Sequence, residues 1–428
     1  MTLSRPSLAM LRDSVLVAAI AVLTVQALKR LVGDRYLVPT GSMEPVFHGH
    51  PEHGDWVLVS KLASASALRV GDLVVIDHPS QPGQRMVKRI AARGDDLPGG
   101  CWIDIMQGDL WLGPDPQRMQ REQKDPLAAK AQRATWAAAP GTAAARDGIT
   151  FGRARAAGLD GPWSLPALSI GEEEARSMTT ATSRLARRAR AELPVPDGFL
   201  GAARPIDASC IDATGARVAA GGDVPVTDVG MEVAFAVDGL PAADCTVLAA
   251  IETRYENLTF HWRPRTGRVV LWRDGEDIAA ADLPAVARQA TLEFGLLDDR
   301  AFFALDGSRA NLLVVPRQPQ WNGDGQRPLA GVRSVCWLGL LAAQDAEAVI
   351  TRLRVFRDVH RWRDPIVGMP GQAGGWPRQV PPGHWFLLGD SAFDSHDSRQ
   401  FGPVASSAFV GVPWYVLGPW ARRRWVTP

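Results

Sequence analysis

Short runs rich in valine and leucine, punctuated by Gly-Asp or Asp-Gly, recur along most of this chain and constrain its fold more than any other feature. "GDWVLVSKL" (54–62), "GDLVVIDHP" (71–79) and "QRMVKRIAARGDD" (84–96) each read as a turn followed by a strand. Between residues 205 and 360 the pattern becomes regular, in "MEVAFAVDGL", "CTVLAAIET", "LTFHWRP", "GRVVLWRDGEDIA", "QATLEFGLLDD", "RAFFALDG" and "AVITRLRVFRDV". Strands at a spacing of roughly ten residues with turn signals between them predict a β-sandwich. The 41 glycines and 32 prolines suit so many turns. The fold class expected is mainly β.

Residues 15–28, "VLVAAIAVLTVQAL", depart from this pattern. They hold no charge and are flanked by Arg12, Asp13, Lys29 and Arg30. Fourteen helical residues span roughly 21 Å, short of a ~30 Å hydrocarbon core, and snorkelling of Lys29 and Arg30 extends the apolar reach. A single N-terminal transmembrane helix is the reading adopted; basic residues on both sides leave its orientation open. With 428 residues and a net charge of +1, the chain has room for two or three domains and advertises no nucleic-acid partner. Cys101, Cys210, Cys245 and Cys336 form no C-x-x-C pair, which excludes a zinc signature and leaves bridges or free thiols open.

The expected organisation has six parts: tail and membrane anchor 1–35, catalytic first part 36–100, an Ala/Arg-rich connector with partial helix 101–204, an inserted sandwich 205–365, a Gly/Pro linker 366–384, and catalytic second part 385–428. Within the connector, the acidic start and basic end of residues 169–193 suit a surface helix.

"LVPTGSMEPVF" (37–47) gathers Pro39, Gly41 and Pro45 around Ser42, which reads as a turn serine or a nucleophile. A serine can be activated by a neutral lysine amine in place of a histidine. Lysine occurs only at Lys29, Lys61, Lys88, Lys124 and Lys130. Lys88 sits between Met86, Val87 and Ile90 in a predicted strand, where burial favours the free amine. Lys61 is its rival, and Lys124 and Lys130 lie in polar sequence. "FHGHPEHGD" places His48, His50 and His53 together as candidate metal ligands or a base, but its glycines and proline describe a loop without a metal geometry. Asp298 and Asp299 suggest calcium less well than a solvated turn. No metal and no cofactor are expected.

Five segments occur in one order: "VPTGSMEP", "GDWVLVSKL", "GDLVVIDHP", "MVKRIAARGDDL" and "LLGDSAFDSHDSRQFGPV". That order resembles the type I signal peptidases, Ser-Lys membrane endopeptidases that remove signal peptides from exported proteins. The resemblance covers residues 8–100 and 380–425. It implies Ser42 as acylating nucleophile, Lys88 as general base, and the Thr40 hydroxyl with the Ser42 N–H as oxyanion hole. It also implies Ser395 as the serine that orients the lysine, with Asp397 and Arg399 as a supporting ion pair. The family usually reads Gly-Asp-Asn-Arg where this chain has "GDSAFDS", which bears on cleft shape more than on the lysine contact.

The insertion, with "GRVVLWRDGEDIAAADLP" and "LEFGLLDDRAFFALDG", resembles concanavalin-like or laminin-G-like sandwiches such as those inserted in signal peptidases of planctomycete-type bacteria. The two resemblances together imply a signal-peptidase-like β catalytic domain interrupted by a β-sandwich. The catalytic domain would lie on the non-cytoplasmic side of the inner membrane. Its partners would be exported preproteins and the lipid bilayer, with an unknown ligand for the sandwich. Two other readings stand beside it: an anchored, catalytically idle binding protein working through the sandwich, and a related Ser-Lys self-cleaving protease.

Overall fold

The computed structural model describes residues 8–31, 33–106, 108–139, 334–342, 347–359, 361–363, 375–392 and 395–426, most of 199–316 apart from short breaks, and short strands at 149–151, 155–156 and 163–166. The chain divides into two compact units. The first holds residues up to Asp104, Leu112–Met119 and Gly368–Pro428; the second holds Ile105–Trp111 and Gln120–Val367.

The first unit opens with α1 (Leu8–Leu31), which contains the whole apolar stretch and the charges flanking it. Val15, Leu16, Val17, Ile20, Val22 and Leu23 are exposed on it. Among the described residues, no helix is long and apolar enough to cross a membrane. The predicted runs then appear as β1 (Gly33–Leu37), β2 (Trp56–Ser60), β3 (Leu73–Asp77) and β4 (Arg85–Arg93). After the insertion come β5 (His384–Leu388), the one-turn helix α2 (Ser398–Phe401), β6 (Val404–Ala405), β7 (Phe409–Gly418) and β8 (Arg424–Trp425). They pair in the order β1-β2-β7-β3-β4-β5-β6, with β8 beside β7. The two sequence-distant pieces therefore interdigitate in one antiparallel sheet, β7 between β2 and β3.

β3 shows why its sequence is apolar without alternation. Its successive side chains point to opposite faces, and both faces are buried. Leu73 and Val75 join a core with Val38, Met43, Phe47 and Val57. Val74 and Ile76 join another with Ile90, Trp385 and Leu387. Each such side chain contributes about 1.5–3 kcal/mol on burial.

The second unit is a sandwich. One sheet carries Val229–Ala236, Gln289–Leu297, Arg300–Leu305 and Glu347–Arg357; the other carries Cys245–Thr253, Asn257–Trp262, Arg268–Arg273 and Ser334–Ala342. One core joins them, with Phe260 and Phe303 at a ring separation of 5.4 Å across the layers. Among the described residues, Asp274–Gly275 and Asp306–Gly307 have both residues at positive φ, and the first closes the hairpin between Arg268–Arg273 and Glu276–Asp282.

Two readings differ from the structure. The Ala-rich segment expected as partial helix holds a strand at Ala134–Ala139, after a short 3-10 turn at Ala128–Gln132. The strand pairs with Leu353–Arg357 and buries Trp136, so tertiary pairing overrides alanine's helix preference. Asp298 and Asp299 form a turn, but Asp298 is buried, not solvated, and its carboxylate accepts from the Lys124 backbone N–H at 2.7 Å. Lys124 is itself half-buried and ion-paired to Asp358. The predicted helix at 169–193 and residues 366–374 of the predicted linker lie outside the described residues. The four cysteines are free thiols.

Candidate active site

Ser42 lies in a 3-10 turn, Gly41–Met43, that follows extended backbone at Thr40. Met43 and Phe47 anchor this turn in the core beneath it, and Ser42 is largely buried. Gly49 passes so close to the turn that a β-carbon there would sit 1.7 Å from the Thr40 carbonyl oxygen. The turn is thus held from below by apolar packing and from the side by backbone.

β4 brings Lys88 to the serine. Lys88 pairs in register with Val74 on β3 and is 2% exposed. Its Nζ donates to Ser42 Oγ at 2.8 Å and to Ser395 Oγ at 3.2 Å. Thr40 Oγ1 lies 3.4 Å from Ser42 Oγ. Arg89, the next residue on the strand, makes a separate buried pair. Its Nε and Nη2 each donate to Asp390 at 2.8 Å in a two-pronged contact. That pair fixes β4 to the segment leading to Ser395.

The segment after β5 is held by Asp397, the N-cap of α2. Its carboxylate accepts from the backbone N–H of Gly389 at 3.0 Å and of Arg399 at 3.1 Å, and from the Arg399 guanidinium at 2.8 Å on each oxygen. Gln400 completes a capping box by accepting from the Asp397 N–H at 2.8 Å. Burial alone would raise the Asp397 carboxyl, but the Arg399 guanidinium and these donors hold it below the ordinary carboxylate range. Arg399 also donates to the Ala392 and Ser395 carbonyls, and Gln400 donates to the Ser395 carbonyl at 3.3 Å. The bonds to the Ser395 carbonyl fix the backbone that carries its hydroxyl.

A cavity of about 730 Å³ opens on the pair. Ser42, Lys88 and Thr40 line it, with Val57, Val59 and Val75 on its apolar side and His78, Arg85 and His396 among its polar lining. The sequence-derived candidates Thr40, Ser42, Lys88, Ser395, Asp397 and Arg399 are thus drawn into one contact network. Lys61 is not among the cavity's lining residues. Neither are His48, His50 and His53, which serve their own loop: His48 contacts Glu44 at 2.8 Å, and His50 Nδ1 accepts the N–H groups of Glu52 and His53.

Sequence reasoning did not single out Gly389, the Arg89–Asp390 pair, His78 or His396. Arg89 and Asp390 stand 301 residues apart, and nothing local to either announces the pairing. Only the charge of Arg89, unusual within a buried strand, was a signal that it needed a partner.

Comparison with known proteins matches the model of the family described as signal peptidase, peptidase S26, over residues 11–109 and 357–416. A signal peptidase I of Aquifex aeolicus (strain VF5) is 33% identical over 87 residues, which are 20% of this chain and 32% of that protein. The chain thus spans about a third of the length of the curated relative it matches. Among solved structures, the alginate lyase A1-II′ of polysaccharide lyase family 7 has a TM-score of 0.27 at 12% identity, covering 47% of this chain and 82% of its own. The Caenorhabditis elegans galectin LEC-6 has a TM-score of 0.21 at 15% identity, covering 30% and 82%. The split family match and the curated relative agree: residues 11–109 and 357–416 are similar to a type I signal peptidase of the S26 family, and the residues between them fall outside the match.

Proposed function

We propose that this chain is a membrane-anchored serine endopeptidase that removes signal peptides from exported preproteins through a Ser42–Lys88 dyad. The observation that carries the reading is the buried 2.8 Å contact between Lys88 Nζ and Ser42 Oγ. Ser42 Oγ attacks the scissile carbonyl while Lys88, as free amine, takes its proton. A free amine is the form that burial favours over an ammonium. Lys88 then protonates the departing amine, and the acyl chain remains as an ester on Ser42. Water, deprotonated by Lys88, hydrolyses that ester. The Ser42 N–H and the Thr40 hydroxyl receive the oxyanion. Ser395 holds the amine in place, and Asp397 with Arg399 holds Ser395.

β1 is an edge strand, and its residues Tyr36 and Leu37 line the cavity together with Val38 after it and with Arg85–Lys88 of β4. A peptide can add to such an edge in extended form. Small side chains at the first and third positions before the cut are the substrate class this reading expects.

Placement at the non-cytoplasmic face of the inner membrane belongs to the same proposal. Two observations support the membrane contact within it. The apolar side chains of α1 are exposed, Leu23 by 68%. Trp414, Trp420 and Trp425 are exposed on β7, β8 and the turn between them, with Arg423 stacked on Trp420. Tryptophan and arginine suit the headgroup region of a bilayer. The proposed domain plan is an anchor, a catalytic domain in two pieces and an inserted sandwich of unassigned ligand. The dyad contact favours this reading over an idle scaffold. Processing of a preprotein by membranes carrying wild type or Ser42→Ala tests it, and sedimentation of the chain with those membranes tests the anchor.

A further inference from the structure

The two histidines on the cavity are not needed by the chemistry above, yet they are arranged with respect to it. His78 follows β3 directly, and His396 lies between Ser395 and Asp397. Their rings stack, with centroids 5.7 Å apart and planes 15° apart. Phe401 of α2 meets His396 edge-on at 5.3 Å and His78 at 6.2 Å. The stack therefore ties the end of β3 to the residue bonded to Ser395, whose hydroxyl accepts from Lys88.

The surroundings of His78 favour its neutral ring. His78 Nδ1 accepts the Ser80 N–H at 3.1 Å, which assigns its proton to Nε2. Of the charged groups around it, Lys88 faces it from β4. Asp77, its neighbour on β3, is paired to Arg85 of β4 at 3.1 Å. Asp397, next to His396, is taken up by Arg399. Both nearby carboxylates are thus engaged elsewhere, and a proton on His78 faces a second imidazole and a lysine. Burial, His396 and Lys88 all push His78 below its ordinary value of 6.5.

We propose that the His78–His396 stack positions the Ser395 loop against Lys88, and that it releases the loop when His78 takes up a proton. His78 and His396 are positioning residues, acting on the base through Ser395. The proposal rests on the reading of Ser42 and Lys88 as the dyad.

The test uses the full-length chain in detergent or vesicles, comparing wild type with His396→Ala, His396→Phe and Lys88→Ala. With a signal-peptide substrate, His396→Ala lowers kcat about tenfold, as expected for a loosened base, with little change in KM. His396→Phe, which keeps a stackable ring, recovers most of the loss and moves the acid limb of kcat to higher pH. An alanine variant with wild-type kcat and pH profile overturns the proposal, as does a phenylalanine variant no better than alanine. Titration of the imidazole carbon signals by NMR is independent of turnover. His78 titrates below 6.5 in wild type and rises in both His396→Ala and Lys88→Ala. A His78 titration that neither change moves overturns the pairing. A chain that cleaves nothing while showing this coupled titration sinks the peptidase reading and upholds the pair facing Lys88.

Discussion

Gly389 is packed so tightly on Ser395 that a β-carbon at residue 389 would stand 2.1 Å from the Ser395 hydroxyl oxygen and 2.4 Å from the Ser42 carbonyl oxygen. The neighbours are the backbone of one proposed catalytic residue and the hydroxyl that holds the other, so the site is assembled around the absence of a side chain. Gly389→Ala must displace the Ser395 hydroxyl, the Ser42 turn or both. A displacement near 1 Å costs about a hundredfold in rate. The expected outcome is a loss of kcat of that order with the fold retained, read by processing kinetics beside circular dichroism.

Thr40 Oγ1 sits 3.4 Å from Ser42 Oγ, and the proposed mechanism gives it the role of oxyanion donor. Thr40→Val keeps the shape and removes the donor. Losing one such donor costs about 2.7–4 kcal/mol of transition-state stabilisation, or 10²–10³ in kcat. Thr40→Ser, which keeps a hydroxyl, retains most of the activity. Equal kcat for the valine and serine variants would remove Thr40 from the oxyanion hole.

Asp397 and Arg399 are both buried, and the carboxylate satisfies Gly389 as well as the guanidinium. Asp397→Ala leaves a buried arginine without its partner, a loss of about 3–5 kcal/mol. Thermal unfolding of the full-length chain reads this as a lowered transition for the catalytic unit. The pH dependence has a definite sign. Because the folded carboxyl is held below its ordinary value of 3.8, its stabilisation is complete above that pH and is lost as pH falls through the folded value. Asp397→Asn removes this acid-sensitive part.

The sandwich unit contains the opposite case. Asp109, Asp228 and Asp298 place carboxylate oxygens within 4.8 Å of one another, with Arg121 donating across 2.6 Å to Asp109 and 3.1 Å to Asp228. Burial, reinforced by Asp228, pushes Asp109 up to about 7, and burial pushes Asp298 up to about 6 against the pull of Lys124. The folded chain keeps protons that the unfolded chain has released. Stability from these groups is therefore present at low pH and is lost as pH rises through about 6–7. Hydrogen exchange in Cys245–Thr253 and Asn257–Trp262, corrected for its intrinsic rate, should show better protection at about pH 5.5 than at about pH 8. Asp109→Asn should flatten that difference.

Legibility in the sequence followed the range of the interactions. The strand at Cys245–Thr253 was readable because valine, isoleucine and threonine state a local preference, and the Asp274–Gly275 turn because its chemistry fits few other conformations. Ser42, Lys88 and Ser395 were nameable from segment order, and the structure brings them into contact. Ala134–Ala139 was not readable as a strand, since its pairing partner at residues 353–357 decides the matter. Asp298 looked like an exposed turn because the Lys124 backbone that binds it lies 174 residues away. Gly389, Asp390 and the stacked histidines were hidden for the same reason. A glycine's close approach and a ring's stacking partner exist only once the two halves of the sheet have met.

The most direct measurement of the account is preprotein processing by membranes containing full-length wild type, Ser42→Ala or Lys88→Ala, with folding of each checked by circular dichroism. The account predicts cleavage by wild type after a small residue, and a loss of about a thousandfold or more for each variant alone, because the two residues act as one unit. Cleavage that persists in folded Lys88→Ala, or a folded wild type that cleaves no precursor, would contradict it.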